Sequence, residues 1–218
     1  MGLSPRCVDA LVEIARRGGL RTWVKVGSAS LGKALGTSQQ SSSRITIELV
    51  DSGLLERRGQ MFHITQDGEG LLYANYLRFQ GLFSDKGFEV AIRGKVVSGL
   101  GEGGYYMSLE GYKAQFVEKL GFKPYPGTLN VKIEDEDLPR VHALRYTGGT
   151  PIDGFIEQGR TFGDVIAHRA VLKGVKCTLI FPARGHYTDT VEVVAPDHLR
   201  KRLSLKDGNR VTISISVG

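Results

Sequence analysis

The residues best suited to chemistry lie between positions 94 and 130. An apolar, strand-like run leads into Ser98-Gly99-Leu100-Gly101-Glu102-Gly103-Gly104, and the stretch closes on Pro126-Gly127-Thr128-Leu129-Asn130. Four glycines within six residues remove the side chains that would hold a ligand off the backbone. Several N–H groups can then turn toward one anion. Thr128 and Asn130 are two apart, so on a strand they share one face. Two neutral oxygens on one face suit a hard cation that also takes phosphate and water oxygens. A phosphate cradle beside a partial magnesium site suggests nucleotide chemistry. On the loop alone, a tight glycine turn between two strands is an equal reading.

Other chemistries fit less well. The glycines spell G-x-G-x-x-G at Gly99, Gly101 and Gly104. A dinucleotide fingerprint needs a helix to open there inside a βαβ unit. Tyr105-Tyr106-Met107-Ser108-Leu109 reads instead as a strand. No Gly-Lys pair is followed by Ser or Thr, which excludes a P-loop, and the HRD and DFG motifs of protein kinases are missing. The five histidines show no metal-ligand spacing, and no serine sits in a G-x-S-x-G elbow. Glu134-Asp135-Glu136-Asp137 reads as a surface acidic turn before Pro139.

The elements that must position this stretch follow from pattern. The chain has 218 residues, enough for one large or two small domains, and its 41% hydrophobic content supports a real core. Net charge is +6, split evenly as +3 over residues 1–86 and +3 over 87–218, which permits anionic partners without demonstrating one. No apolar run reaches membrane-spanning length and no signal-peptide pattern opens the chain. Cys7 and Cys177 lie far apart without a CxxC, as expected of free thiols in a reducing cytoplasm.

Residues 5–17 carry helical spacing through Val8, Leu11, Val12 and Ala15 and stop at Gly18-Gly19. A second helix fits residues 28–35. Thr37 can cap a third that runs through Ile45, Leu49 and Val50. Residues 54–64 read as a hairpin turning at Arg58-Gly59-Gln60, and residues 70–83 as a final helix. Three helices and a hairpin resemble a winged helix-turn-helix of the bacterial and archaeal regulator type. That resemblance implies a third helix in the DNA major groove and a wing on the backbone. Gln39, Gln40, Ser43 and Arg44 would face DNA from the helix, and Arg57 and Arg58 from the wing. A solvated helical domain that contacts no DNA is the competing reading. The apolar stretch 71–83 would serve a homodimer or pack internally.

A turn near residues 83–87 divides this domain, 1–86, from a second, 87–218. Many short alternating runs with Gly-rich turns follow, and few helices, which suggests a β-barrel. Residues 112–120 and 197–203 are the expected helices. The motifs here are specific. Gly94-x-Val96-Val97-Ser98-Gly99-Leu100-Gly101-Glu102-Gly103, Tyr105, the run Gly121-Phe122-x-Pro124-Tyr125-x-Gly127-Thr128-Leu129-Asn130, and Ala195-Pro196-x-x-Leu199-Arg200 closely resemble the archaeal CTP-dependent riboflavin kinases. The likeness covers most of residues 87–218, and the N-terminal part resembles the winged-helix extension of some members.

The resemblance implies a two-domain chain, a mainly-α winged helix-turn-helix before a mainly-β cradle-loop barrel. It implies that Gly99, Leu100, Gly101, Glu102, Gly103 and Gly104 wrap a cytidine nucleotide, joined by Asp197, His198, Leu199 and Arg200. Thr128 and Asn130 would hold Mg²⁺, and Glu192 and Thr188 would contact the flavin. Riboflavin and CTP would be the substrates and FMN a product. Preference for CTP rests on the resemblance alone. No residue stands out as a general base, and Glu102 and Glu192 are the two carboxylates to test. The expected protein is a cytoplasmic kinase that also regulates transcription, with a non-catalytic flavin or nucleotide sensor as the alternative.

Overall fold

The computed structural model describes residues 4–83, 88–99, 101–157, 159–182 and 189–217. The chain divides into two compact units, one of residues 1–79 with 142–146 and one of 80–141 with 147–218. Among the described residues no helix is long and apolar enough to cross a membrane.

In the first unit, helices α1 (Pro5–Arg16), α2 (Ser28–Ala34) and α3 (Gln39–Asp51) pack beside strands β1 (Val24–Lys25), β2 (Leu55–Arg58) and β3 (Met61–Ile64). The sheet order is β1-β3-β2. Leu11, Ile14, Leu31, Leu49 and Leu55 form one buried cluster beneath the helices. Ser4 and Ser38, not Thr37, cap α1 and α3, each side-chain oxygen accepting from a backbone N–H of the first turn. Ser42 Oγ donates to Ser28 O at 2.6 Å and ties α3 to the start of α2. Helix α4 (Gln66–Leu82) starts earlier than its apolar pattern suggests, with Asp67 and Glu69 in its first turn.

The second unit opens on β4 (Phe88–Val97), followed by helices α5 (Glu102–Ser108) and α6 (Glu110–Gln115) and a π-helical turn at Phe116–Leu120. Then come β5 (Leu129–Ile133), α7 (Leu138–Ala143), β6 (Thr150–Ile152), β7 (Phe155–Glu157) and β8 (Arg160–Phe162). The chain ends with β9 (Val165–Leu172), β10 (Val175–Pro182), β11 (Thr190–Val194), α8 (Leu199–Arg202) and β12 (Arg210–Val217). Strands β10-β11-β5-β4-β12-β9 lie in that order, β9 pairs back to β10, and β6 adds to β9. Six strands thus close into a barrel, and closure removes their free edges. Strand β12 alternates buried Val211, Ile213, Ile215 and Val217 with more open residues, as an inward-outward barrel strand must. A second apolar cluster sits under the helices, from Met107, Tyr112, Phe116, Ile180 and Val194.

Two expectations change here. Tyr105 through Ser108 belong to α5, not to a strand. Gly101 caps this helix in the left-handed conformation at φ 84°, and burial of Met107 in the second cluster outweighs the weak helix preference of adjacent tyrosines. Every ladder of the barrel is antiparallel, so a helix opening after these glycines still lies outside any βαβ unit.

The acidic run is also not a plain surface turn. Asp137 is fully buried. It accepts from Arg93 N and Nε, both at 2.8 Å, and pairs with Arg140 Nη1 at 3.0 Å. Burial alone would push its carboxyl upward, but the hydrogen bonds from Arg93 outweigh that and hold it below the usual value of 3.8. Its ionised form therefore stabilises the fold above pH 3.8, and this contribution fades as pH falls through the lowered folded value. Asp137→Asn should lower stability at pH 7 by about 1–3 kcal/mol, since it weakens the charged hydrogen bonds that the buried carboxylate makes to Arg93 and its ion pair with Arg140. Urea unfolding at pH 7 and pH 3 checks it, and the difference between wild type and variant should shrink at the lower pH.

Both cysteines are free and buried. Burial pushes Cys7 up to about 11 and Cys177 up to about 12, so neither thiol is reactive at neutral pH.

Candidate active site

Three neighbouring strands bring the predicted residues to one rim. β4 lies between β5 and β12, and β5 between β4 and β11. Val97 pairs with Asn130 across the β4–β5 ladder, and Asn130 pairs with Glu192 across the β5–β11 ladder. The glycine loop leaves β4 at this point, and Thr128 stands just before β5. Gly99, Gly101, Glu102, Gly103, Gly104, Thr128, Asn130, Glu192, Asp197, His198, Leu199 and Arg200 all line one cleft of about 600 Å³. Leu100 and Thr188 lie outside the described residues, as does His186.

Two of the glycines act by absence of a side chain. A Cβ on Gly103 would fall 2.8 Å from Thr128 Cγ2, and one on Gly99 would fall 2.8 Å from the Asn130 side-chain carbon Cγ. The backbone of the loop and of α5 therefore lies directly on the Thr128 and Asn130 side chains. Gly101 meets nothing, and its role is the left-handed turn.

Thr128 Oγ1 donates to Glu192 Oε1 at 2.9 Å. With its proton committed to the carboxylate, the hydroxyl has lone pairs left for a cation. Asn130, whose amide oxygen is a second neutral donor, lines the same cleft. This donor set, neutral oxygens beside one carboxylate, fits a hard divalent ion that also takes phosphate oxygens. Among the described residues no group of three or more His, Cys, Asp or Glu could hold a metal.

The second wall is the chain from Ala195 to α8. Tyr125 N donates to Ala195 O at 2.9 Å, and the Tyr125 and His198 rings meet edge to face at 5.0 Å. His198 Nδ1 caps α8 by accepting from Lys201 N at 3.0 Å. Asp197 pairs with Arg202. Arg200 Nη2 donates to Val97 O at 2.8 Å, which joins this wall to the root of the glycine loop.

Tyr105 and Tyr106 do not line the cleft. They are exposed on α5 and pack edge-on against each other; Tyr106 meets Phe162 edge-on and Tyr105 meets it tilted, with the Arg160 guanidinium 5.9 Å from the Tyr105 ring. Sequence reasoning missed Tyr125 and Val193 as lining residues.

In the first unit, Gln39, Gln40 and Arg44 are exposed on α3 and Ser43 is half-buried. Arg57 and Arg58 are exposed on β2. Arg57 Nε donates to Gly59 O at 2.8 Å, and Arg58 lies over the Trp23 ring at 4.3 Å. A concavity of about 330 Å³ runs between α3 and the hairpin, lined by Gln39, Ser43, Ile47, Arg57 and Gln60 among others. Ile47 is 51% exposed at the centre of that helix face. Its apolar type reads as core in sequence, so periodicity gave no sign of it.

A family model named for the CTP-dependent riboflavin kinases, and described as domain of unknown function DUF120, matches residues 96–215. The chain belongs to the CTP-dependent riboflavin kinase family. It is 41% identical over 213 residues to a protein named riboflavin kinase from Archaeoglobus fulgidus, covering 95% of this chain and 91% of that one. Its identity to the riboflavin kinase of Methanoregula boonei is 40% over 214 residues, 96% of each chain. To that of Thermoplasma volcanium it is 44% over 193 residues, 87% of each. The family model begins within β4 and ends within β12, so the match spans the barrel and the whole cleft.

Proposed function

We propose that this chain transfers the terminal phosphoryl group of CTP to the 5′-hydroxyl of riboflavin, giving FMN and CDP. The observation that carries this is the meeting of the glycine backbone, Thr128, Asn130 and Glu192 in one cleft within a family of riboflavin kinases. Phosphoryl transfer is mostly positioning and charge stabilisation. N–H groups of the glycine loop would hold the phosphates, and the wall from Ala195 to Arg200 would cover the nucleoside. Glu192 would accept the proton of the flavin hydroxyl as that oxygen forms the new bond to phosphorus and CDP leaves. Thr128 and Asn130 would hold Mg²⁺, which when bound neutralises phosphate charge. Thr188 is proposed as a second flavin contact. Two buried, unpaired thiols suit a cytoplasmic setting.

The decisive test is FMN formation from riboflavin with Mg²⁺ and each of CTP, ATP, GTP and UTP. The expected result is turnover mainly with CTP. No FMN with any nucleotide, in protein that still binds flavin, would replace the kinase with a sensor.

A second reading concerns the first unit, for which a winged helix-turn-helix that binds duplex DNA is proposed. The exposed polar face of α3 beside the concavity supports it. Gln39, Gln40, Ser43 and Arg44 would read the major groove, and Arg57 and Arg58 the backbone. Exposed Tyr76 and Phe79 on α4 would serve a homodimer. Anisotropy titrations on DNA upstream of riboflavin genes, at several salt concentrations and with and without FMN, test this. Undetectable or salt-insensitive binding would remove it, and equal affinity with and without FMN would remove any regulation by flavin.

A further inference from the structure

Asp207 stands in the turn before β12, a position that its sequence context marks only as a turn. The turn is tied to the end of β4, where Gly208 N donates to Val96 O at 2.8 Å and Val96 N to Asn209 O at 2.9 Å. Lys206 N donates to Asn209 Oδ1 at 2.9 Å and holds the turn's shape.

The Asp207 carboxylate divides its two oxygens between two arms of the cleft. Oδ2 accepts from Ser98 Oγ at 2.6 Å, at the root of the glycine loop. Oδ1 accepts from Arg200 Nη2 at 2.7 Å, on the opposite wall. The same Nη2 donates to Val97 O at 2.8 Å. An Nη2 group carries two hydrogens, so one serves the carboxylate and the other the carbonyl. Ser98, Asp207, Arg200 and the Val97 carbonyl thus form a ring, closed through the Val97–Ser98 backbone, around the point where the chain leaves β4. The hydrogen bond from Ser98 and then that from Arg200 hold the Asp207 carboxyl below its usual range, so it is ionised at neutral pH.

The Asp207 side chain is 51% exposed, so the network adds little to folding stability. Its geometry does something else. The chain beyond Ser98 is rich in glycine, and glycine has the most conformational freedom to lose when a ligand orders it. Without Asp207 the Arg200 guanidinium on the facing wall would keep only its bond to Val97 O.

We infer that Asp207 is a positioning residue for the nucleotide: it fixes the root of the glycine loop and the Arg200 guanidinium before ligand arrives. This rests on the reading of the cleft as a nucleotide site. It predicts a selective defect, because Ser98 and Arg200 bracket the glycine loop whereas Glu192, on the proposed flavin side, stands on β11 outside the ring.

The test uses the full chain with Asp207→Asn, Asp207→Ala, Ser98→Ala and the Ser98→Ala/Asp207→Asn double variant. For Asp207→Asn the expected result is a KM for CTP raised about tenfold, kcat within threefold and KM for riboflavin unchanged. Calorimetric titration with CDP should show the same tenfold weakening without turnover. Ser98→Ala should give a smaller loss, and the double variant should lose less than the product of the two single losses. An unchanged or tighter affinity for CTP and CDP would overturn the inference, since the carboxylate would then be idle or opposing Arg200. Equal rises in both KM values would overturn it too, as a general structural effect. CDP binding without any FMN formation by the wild type would remove the proposed reaction, and the CDP titration of Asp207→Asn would still decide the role of Asp207.

Discussion

Glu192→Gln should lower kcat for FMN formation by about 10²–10⁴-fold, the usual contribution of a positioned general base. Gln keeps an oxygen that accepts from Thr128 Oγ1, so the 2.9 Å contact and the shape of the cleft persist. What is lost is the charge and the capacity to take a proton. KM for CTP should therefore move less than threefold, the signature of an interaction made only in the transition state. Glu102→Gln is the control. Glu102 lines the same cleft but is exposed in the first turn of α5, and its loss should change kcat less than threefold. Steady-state kinetics over both substrates separates the two. The reverse pattern would transfer the base to Glu102, and two small effects would mean that positioning alone drives the reaction.

Gly103→Ala should reduce kcat/KM for CTP by about 100-fold, which corresponds to about 2.7 kcal/mol. Helix propensity argues the other way, since Ala is favoured over Gly by about 1 kcal/mol in a helix interior. The steric term decides the sign. The new methyl would lie 2.8 Å from Cγ2 and 3.0 Å from Cβ of Thr128. Thr128 cannot yield easily, because its branched side chain is stiff at χ1 and its hydroxyl is held by Glu192. Either α5 lifts or Thr128 leaves its position, and both spoil the cleft. Gly101→Ala makes a useful contrast. No atom crowds that position, so the cost is the left-handed backbone, about 1–2 kcal/mol, felt mainly as a fraying of α5. Kinetics alongside thermal melts distinguishes the glycine needed for space from the glycine needed for conformation.

Much of this was legible in the chain. The two long strands at 88–97 and 210–217 follow from alternation bounded by turn residues. The rim of Gly99, Thr128 and Asn130 follows from motif chemistry. The failures share a cause. Tyr105 to Ser108 carry strand-like residue types, yet they are helical because Met107 has a cluster to enter and Gly103 lets the helix lie close on Thr128. Asp137 looks solvated because its partner Arg93, which covers it, stands 44 residues earlier. Asp207 looks like a turn residue because its partners, Ser98 and Arg200, are not its neighbours in sequence. In each case local composition was read correctly and a distant partner changed its meaning.

The closed barrel also dictates when during folding a site can exist. Thr128 and Glu192 are separated by 64 residues, and β4 pairs with β12 from the far end of the chain. Contacts of such sequence separation form late, since each demands closure of a long loop before it returns any enthalpy. A partly folded chain therefore has glycines and carboxylates but no cleft. Added CDP should leave the refolding rate of the barrel unchanged and slow its unfolding, which makes the nucleotide a kinetic stabiliser of the finished ring.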